Sequence, residues 1–310
     1  MKAIECLKYG DVDNLVLSQV KKPTPKANEV LIKIRATSVT TSDVLIRRMD
    51  ESFVPKLILQ LIFGFGRPRN LILGMVSAGI LEAKGRDVTL FEIGDEVFAY
   101  GAISPTKHRF GSYAEYICLP EDWNLALKPV NLSFEEAAAI PYGGLLASHL
   151  LKKTSINKGD KILIYGASGS IGTMAIQLAK LRGAHVTSVC SGRNFELVKS
   201  LGSDRMIDYT IENAETKLET YKYVLDAVGH SKSSILKEKS KKALTSSGKY
   251  ISIDHGTPST PKEVFFNLKS LAEQEKLRPV IDRIYSLEEM AEAHKYVEMG
   301  HKIGNVVITI

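Results

Sequence analysis

The residues best placed to do chemistry are three glycines, Gly166, Gly169 and Gly172, which lie between an apolar run at 161–165 and an amphipathic run at 172–181. A strand, a glycine-rich turn and a helix in this order are typical of dinucleotide binding, because the helix N-terminus offers backbone N–H groups and partial positive charge to phosphates. We expect Gly166 to permit the sharp turn, Gly169 to let the backbone approach a pyrophosphate, and Gly172 to let helix and strand pack closely. The motif predicts a dinucleotide site; the alternative is a glycine-rich turn that binds another ligand, such as a methyl donor.

The end of the second strand of this half bears on which dinucleotide binds. NAD sites place a carboxylate about 20 residues beyond the fingerprint, where it accepts a hydrogen bond from the ribose 2′-hydroxyl. The chain has no acid there; it has Ser191, Arg193 and Asn194, which are donors suited to a 2′-phosphate. The sequence therefore favours NADPH over NADH, although Arg193 is also explained as a solvated residue that begins the next helix.

Alternating strands and helices position these residues. The strands are predicted at 161–165, 184–190, 205–209, 223–228 and 248–254, and the helices at 172–181 and 194–201. This alternation predicts the α/β class, with a doubly wound parallel sheet.

The first 125 residues have a different pattern. Short strands are predicted at 29–36, 96–100 and 112–119 and are separated by Gly and Pro residues, which indicates a β-rich domain. Capping boxes at Ser133 and Ser286 predict helix starts, as does Thr260 followed by a proline, and the tail at 305–310 reads as a strand.

Length and composition limit the possible classes of protein. A chain of 310 residues suggests two domains. The net charge is +6, but Lys and Arg are scattered, so no nucleic-acid partner is expected. Three cysteines favour a reducing, cytoplasmic location over a disulfide framework. The apolar run at 54–66 is too short to cross a membrane; it predicts a helix or lid packed on the domain, with a weak interfacial membrane contact as the alternative.

Further motifs along nearly the whole chain carry a family resemblance. Beside the fingerprint they lie at 22–34, 94–98, 111–116, 135–141, 143–144, 201–204, 226–229 and 300–308. With them the chain resembles the medium-chain dehydrogenase/reductase superfamily and, within it, the zinc-independent quinone oxidoreductase (zeta-crystallin-like) branch. The resemblance implies a GroES-like β-rich catalytic domain (1–125 and 270–310) and a Rossmann cofactor domain (126–269). It also implies hydride transfer from NADPH to a quinone or an activated C=C bond.

The resemblance also assigns cofactor-binding residues. The implied phosphate loop follows Gly166 and comprises Ala167, Ser168, Gly169, Ser170, Ile171 and Gly172. Tyr209 joins the residues at the 2′-phosphate, and Val228 is expected near the adenosine or nicotinamide ribose.

Zinc is not expected. Zinc-dependent relatives carry a Cys near residue 40 and Gly-His-Glu near residue 75, where this chain has Thr40 and Gly74-Met75-Val76. Without a metal, a donor must stabilise the developing enolate or hydroquinone oxygen. The candidates are Tyr142, Thr40, Lys302, solvent, and Asp43 with Arg47 as its partner; Asp43 is equally well explained as a structural residue bonded to Arg47.

Departures from the branch favour a second hypothesis. Leu146 stands where relatives have a polar residue near the nicotinamide, and the connection from Asp254 to Pro261 is too short for their additional strand. We therefore expect a monomer or an atypical dimer. An NADPH-binding redox sensor or partner-binding protein with weak or lost catalysis is the alternative function, and metal-free alcohol or aldehyde conversion is disfavoured.

Overall fold

The computed structural model describes residues 1–50, 53–102, 108–229, 234–255 and 260–310, with side chains described from residue 56 onward in the helix that begins at Phe53. The strands are β1 (Lys2–Cys6), β2 (Leu15–Gln19), β3 (Glu29–Val39), β4 (Val76–Lys84), β5 (Glu96–Tyr100), β6 (Tyr116–Pro120), β7 (Asn124–Leu127), β8 (Lys161–Tyr165), β9 (His185–Cys190), β10 (Arg205–Asp208), β11 (Tyr221–Asp226), β12 (Leu244–Ser252), β13 (Ile281–Ser286) and β14 (Asn305–Thr309). The α-helices are α1 (Thr41–Arg48), α2 (Phe53–Phe63), α3 (Phe134–Ala138), α4 (Pro141–Lys152), α5 (Ser170–Leu181), α6 (Phe195–Ser200), α7 (Ile235–Lys242), α8 (Lys262–Glu273) and α9 (Met290–Glu298).

The chain forms two compact units. The first comprises residues 1–141, 260–273 and 281–310, and the second comprises residues 142–259 and 274–280.

The first unit is built on a mainly antiparallel sheet. Its described strands pair in the order β13-β14-β3-β4-β5-β7, with β6 also paired to β3. In β3, Ile32 and Ile34 are buried while Arg35 is exposed, which confirms the alternation in the sequence. The inward-facing side chains of β3, β4, β5 and β6 meet in one hydrophobic cluster. The unit is therefore the β-rich domain that the sequence predicts.

The second unit is a parallel α/β layer. Its described strands pair in the order β10-β9-β8-β11-β12, every neighbouring pair being parallel. The order reverses between β8 and β11, and ligands of open α/β sheets bind beyond the carboxyl ends of the strands at such a point. Helix α5 follows β8 there and is buried from Ser170 to Ala179, so it packs as a core helix. The doubly wound sheet predicted from the sequence is confirmed.

Several predicted boundaries shift. The strand predicted at 248–254 begins earlier, at Leu244. The residues that follow Leu244 are polar and exposed at the sheet edge, so no apolar pattern indicates this part of the strand. The helix predicted at 194–201 is a short 3₁₀ turn, Gly192–Asn194, followed by α6. Residues 256–259 of the short connection after β12 lie outside the described residues.

The apolar run at 54–66 contains helix α2, on which Leu57, Ile58 and Leu61 are exposed. No helix among the residues described combines the length and the apolar character needed to cross a membrane.

Candidate cofactor site

The turn from β8 into α5 requires glycine at two positions. Gly166 has a φ of +80°, in the left-handed region, and a Cβ there would overlap the Val228 side chain. A Cβ on Gly172 would overlap the carbonyl oxygen of Gly166 and lie 2.6 Å from the Cα of Ala167. The turn and the close approach of helix to loop both have the geometry that the sequence pattern predicts.

Gly169 borders open space. Its backbone is extended (φ −81°, ψ 176°), and a Cβ added there would meet only the carbonyl oxygen of Gly166, at 3.5 Å. Gly169 is also the N-cap of α5, and no side chain caps this helix start. A helix N-terminus of this kind attracts anions through its first-turn amides. The cradle therefore fits a pyrophosphate.

The remaining residues of the loop are held from β9. The amide of Ala167 donates to the carbonyl of Val189 at 3.1 Å, and Ala167 is buried. The hydroxyl of Ser168 accepts a hydrogen bond from Nδ2 of Asn194 at 3.0 Å. Asn194 is itself buried, so its side chain links the turn after β9 to the phosphate loop. Ser170 and Ile171 are buried in the first turn of α5.

The residues expected at the 2′-phosphate come together at one edge of the sheet. Ser191 and Arg193 follow the last residue of β9, Cys190, and Arg193 is exposed. The amide of Tyr209 donates to the carbonyl of Cys190 at 3.3 Å, and the Tyr209 side chain is exposed. The guanidinium of Arg193 and the phenol of Tyr209 are thus exposed at this edge, while Asn194 beside them is buried.

A carboxylate at this edge was missed by the sequence reasoning. The parallel register sets Asp208, the last residue of β10, opposite Cys190. Its Oδ1 accepts from the amide of Thr210 at 2.9 Å and from the Thr210 hydroxyl at 2.7 Å. A Cβ on Gly192 would overlap its Oδ2. An acid was expected only directly after β9, whereas Asp208 lies at the end of the neighbouring strand, β10. The carboxyl ends of neighbouring parallel strands meet at one edge of the sheet, and this proximity is the signal that indicates Asp208.

Several donors keep Asp208 ionised. Burial acts to raise the pKa of the carboxyl group. The hydrogen bonds from Thr210 and from the Gly192 amide, with the charge of Lys217, outweigh burial and hold the pKa below its ordinary value.

Val228 lies at the end of β11, over a buried ion pair. Its amide donates to Oδ1 of Asp226 at 3.0 Å, and Oδ2 of Asp226 lies 2.8 Å from Nζ of Lys237. Burial acts to raise the pKa of Asp226, but Lys237 and the hydroxyl of Tyr250 lower it overall. The pair holds the backbone at Val228, whose side chain in turn faces Gly166.

Two of the expected catalytic residues, Thr40 and Asp43, form a capping box at the start of α1 in the first unit. The Thr40 amide and hydroxyl donate to Oδ2 of Asp43 at 2.8 and 2.6 Å. Burial raises the pKa of Asp43 to about 6, against the lowering effect of these bonds. The expected partnership of Asp43 with Arg47 is wrong: the buried Arg47 guanidinium pairs with Glu298 of α9 and donates to the carbonyl of Gly10.

The other two candidates lie in different units. Tyr142 is buried in the first turn of α4, where a Cβ on the adjacent Gly143 would overlap the carbonyl oxygen of Ser170. Lys302 belongs to the first unit, and burial lowers the pKa of its ammonium group to about 8.

Metal-ligand chemistry is sparse. Across residues 1–50, 56–102, 108–229, 234–255 and 260–310, no three His, Cys, Asp or Glu side chains gather as a metal site would require. Cys6, Cys118 and Cys190 are buried free thiols.

Known proteins share this architecture. Residues 26–129 match the family described as "Alcohol dehydrogenase GroES-like domain", and residues 256–308 match the one described as "Zinc-binding dehydrogenase". A 2-methylene-furan-3-one reductase of Solanum lycopersicum is 34% identical over 99% of this chain and 79% of its own length. A chloroplastic NADPH-dependent alkenal/one oxidoreductase of Arabidopsis thaliana is 33% identical over the same shares.

A solved structure agrees over its full length. The quinone oxidoreductase from Coxiella burnetii superposes with a TM-score of 0.86 at 28% identity, covering 100% of this chain and 99% of the other. Identity above 30% across nearly the whole chain, with both units matched in one structure, establishes the family. The chain belongs to the medium-chain dehydrogenase/reductase superfamily, in its quinone oxidoreductase group.

Proposed function

We propose that this chain is an NADPH-dependent oxidoreductase that reduces a quinone or the activated C=C bond of an enone. The observation that carries the proposal is the open cradle at Gly169, at the uncapped start of α5 and beyond the carboxyl end of β8. The relatives named as alkenal and quinone oxidoreductases support the substrate class. The relative named as NADPH-dependent, and the cationic Arg193 at the sheet edge, support the choice of NADPH.

NADPH, when bound, supplies a hydride from its nicotinamide ring, and one proton from the protein or solvent completes the two-electron reduction of the substrate. The loop from Gly166 to Gly172 would hold the pyrophosphate. Ser191, Arg193, Asn194 and Tyr209 would hold the 2′-phosphate, and Val228 would lie against the ribose. These residues orient the cofactor, while the reactive carbon of the substrate must lie close to the ring in a site that excludes water.

Tyr142 is the proposed donor to the substrate oxygen on which charge develops. A phenol is a suitable donor for an enolate or hydroquinone oxygen. The Thr40 amide and hydroxyl both donate to Oδ2 of Asp43 across the cap of α1, so we assign the two residues to holding that helix start rather than to proton transfer. Lys302, with its lowered pKa, is the second candidate donor.

Zinc-free catalysis and a cytoplasmic location remain part of the proposal. The absence of a three-ligand cluster among the described side chains supports the first, although the matched family at 256–308 is named for zinc. Three buried thiols in a chain of this size fit a reducing compartment.

The test is NADPH consumption with a panel of enones and quinones, followed by the absorbance of the reduced nicotinamide. The same panel is assayed with NADH in parallel. We expect oxidation that depends on both NADPH and an acceptor. A protein that binds NADPH tightly but does not oxidise it with any acceptor of the panel would instead support the redox-sensor alternative. A protein that binds neither dinucleotide would contradict the cofactor site.

A further inference from the structure

We propose that Asp208 is a positioning residue that fixes the NADPH-binding turn after β9 and thereby sets the preference for NADPH over NADH. The inference rests on the proposed function, since it concerns the same cofactor edge. It assigns a role to a carboxylate that the fingerprint does not include.

No side-chain cap fixes the turn after β9. The 3₁₀ turn Gly192–Asn194 has Ser191 as its N-cap, and the Ser191 side chain makes no capping hydrogen bond. Asn194, the N-cap of α6, makes no side-chain capping bond either; its Nδ2 donates instead to the Ser168 hydroxyl of the phosphate loop. The turn is closed by backbone hydrogen bonds from the Asn194 amide to the Ser191 carbonyl at 2.9 Å and from the Phe195 amide to the Gly192 carbonyl. Arg193 therefore lies on a short closed turn, whose orientation a contact from β10 can set.

Asp208 holds that backbone from β10. One carboxylate oxygen accepts hydrogen bonds from both the amide and the hydroxyl of Thr210. The other lies so close to Gly192 that a Cβ on Gly192 would overlap it. The carboxylate thus joins the turn that carries Arg193 to the turn that carries Tyr209. Arg193 and Tyr209, two of the four residues expected at the 2′-phosphate, therefore lie on turns that this one carboxylate contacts.

The charge of Asp208 is directed at the protein. Its oxygens are engaged by N–H and O–H donors of the chain, and Lys217 adds positive charge nearby. A carboxylate that faced the ligand instead would repel a 2′-phosphate and accept a hydrogen bond from the 2′-hydroxyl of NADH. The two arrangements predict opposite effects of removing the charge, which makes the role of Asp208 measurable.

A matched carboxylate lies at the other end of the same strand. Asp204 precedes β10, and its Oδ2 accepts from the amide of Val186 at 2.7 Å while Lys180 pairs with it at 2.8 Å. It ties β9 to β10 as Asp208 does, but at the amino end of the sheet, away from the cofactor edge. Asp204→Asn is therefore a control for the general loss of a strand-tethering acid.

The experiment is calorimetric titration of the full chain and its variants with NADPH, NADH and 2′,5′-ADP. We expect Asp208→Ala to raise the Kd for NADPH and 2′,5′-ADP about tenfold, as for one charge-assisted tether, and to leave the Kd for NADH within about twofold. Asp208→Asn, which keeps one accepting oxygen, should fall between wild type and Asp208→Ala and serves if the alanine variant does not fold. Asp204→Asn should lower Tm without changing the ratio of the two dinucleotide Kd values.

Each other outcome is decisive. Equal weakening of NADPH and NADH would reduce Asp208 to a purely structural residue, and tighter NADPH binding in Asp208→Ala would show that the carboxylate faces the ligand; either result overturns the proposal. Unchanged affinities in both Asp208 variants would do the same. A wild-type chain that binds no dinucleotide would overturn the proposed function itself, a result distinct from any change confined to the variants.

Discussion

Two glycines in one loop should respond to the same substitution in opposite ways. In Gly172→Ala the new methyl would lie 2.6 Å from the Cα and 2.7 Å from the carbonyl carbon of Ala167, and would overlap the carbonyl oxygen of Gly166. Normal carbon–carbon contact is about 3.5–4.0 Å, so helix and loop must separate by roughly 1 Å. These are backbone atoms, which cannot rotate away. We expect a loss of about 3 kcal/mol, at the upper end for overpacking, and a fall in Tm of roughly 6–12 °C.

In Gly169→Ala the new methyl would meet a single atom, 3.5 Å away, in a backbone conformation open to any residue. The free energy of unfolding should fall by less than about 1 kcal/mol, the cost of alanine in place of glycine at an N-cap. The methyl would occupy the space of the pyrophosphate, so the Kd for NADPH should rise by at least about tenfold, and Gly169→Val should abolish binding.

Differential scanning fluorimetry and NADPH titration measure both effects. Unchanged NADPH affinity in a folded Gly169→Ala variant would show that the loop does not hold the pyrophosphate. A Gly172→Ala variant with wild-type Tm would refute the packing argument.

Four further outcomes are expected. Arg193→Ala should weaken NADPH binding by roughly 1.5–3 kcal/mol and leave NADH binding unchanged. Equal affinities of the wild type for the two dinucleotides would count against the residues assigned to the 2′-phosphate. Activity should survive exhaustive chelation, and stoichiometric zinc by elemental analysis would contradict this. Asp43 has a folded pKa of about 6 against an ordinary 3.8, so its contribution to stability is complete below pH 3.8 and is lost as pH rises through 6. Asp43→Asn should therefore gain Tm relative to wild type between pH 4 and 6, and a constant difference in Tm would refute the buried ionisation. Light scattering should give the mass of a monomer or a dimer, and a crystal structure should show no intersubunit sheet through β12; a continuous sheet there would refute this.

The sequence predicted best what depends on neighbours in the chain. Strand β8, the glycine turn and α5 are continuous in sequence, so their spacing alone indicates the loop and the roles of its glycines. The same local reasoning failed for Arg47, which was expected to pair with its near neighbour Asp43. The guanidinium is instead bound by Glu298, 251 residues away, because the packing of α9 brings that carboxylate to it. Such a partner is set by tertiary packing and leaves no periodic signal.

Asp208 lies between these two cases, and the role proposed for it would separate affinity from specificity in this fold. The proposed phosphate cradle depends on the local turn after β8, and it would serve any dinucleotide. The 2′ edge depends on the register of β9 against β10, in which Asp208 stands opposite Cys190. A slip of one residue would turn the carboxylate to the other face of the sheet and leave the Gly192 turn untethered. Since the two features depend on different parts of the structure, we expect changes at the carboxyl ends of β9 and β10 to alter the choice of cofactor while the proposed pyrophosphate site stays intact.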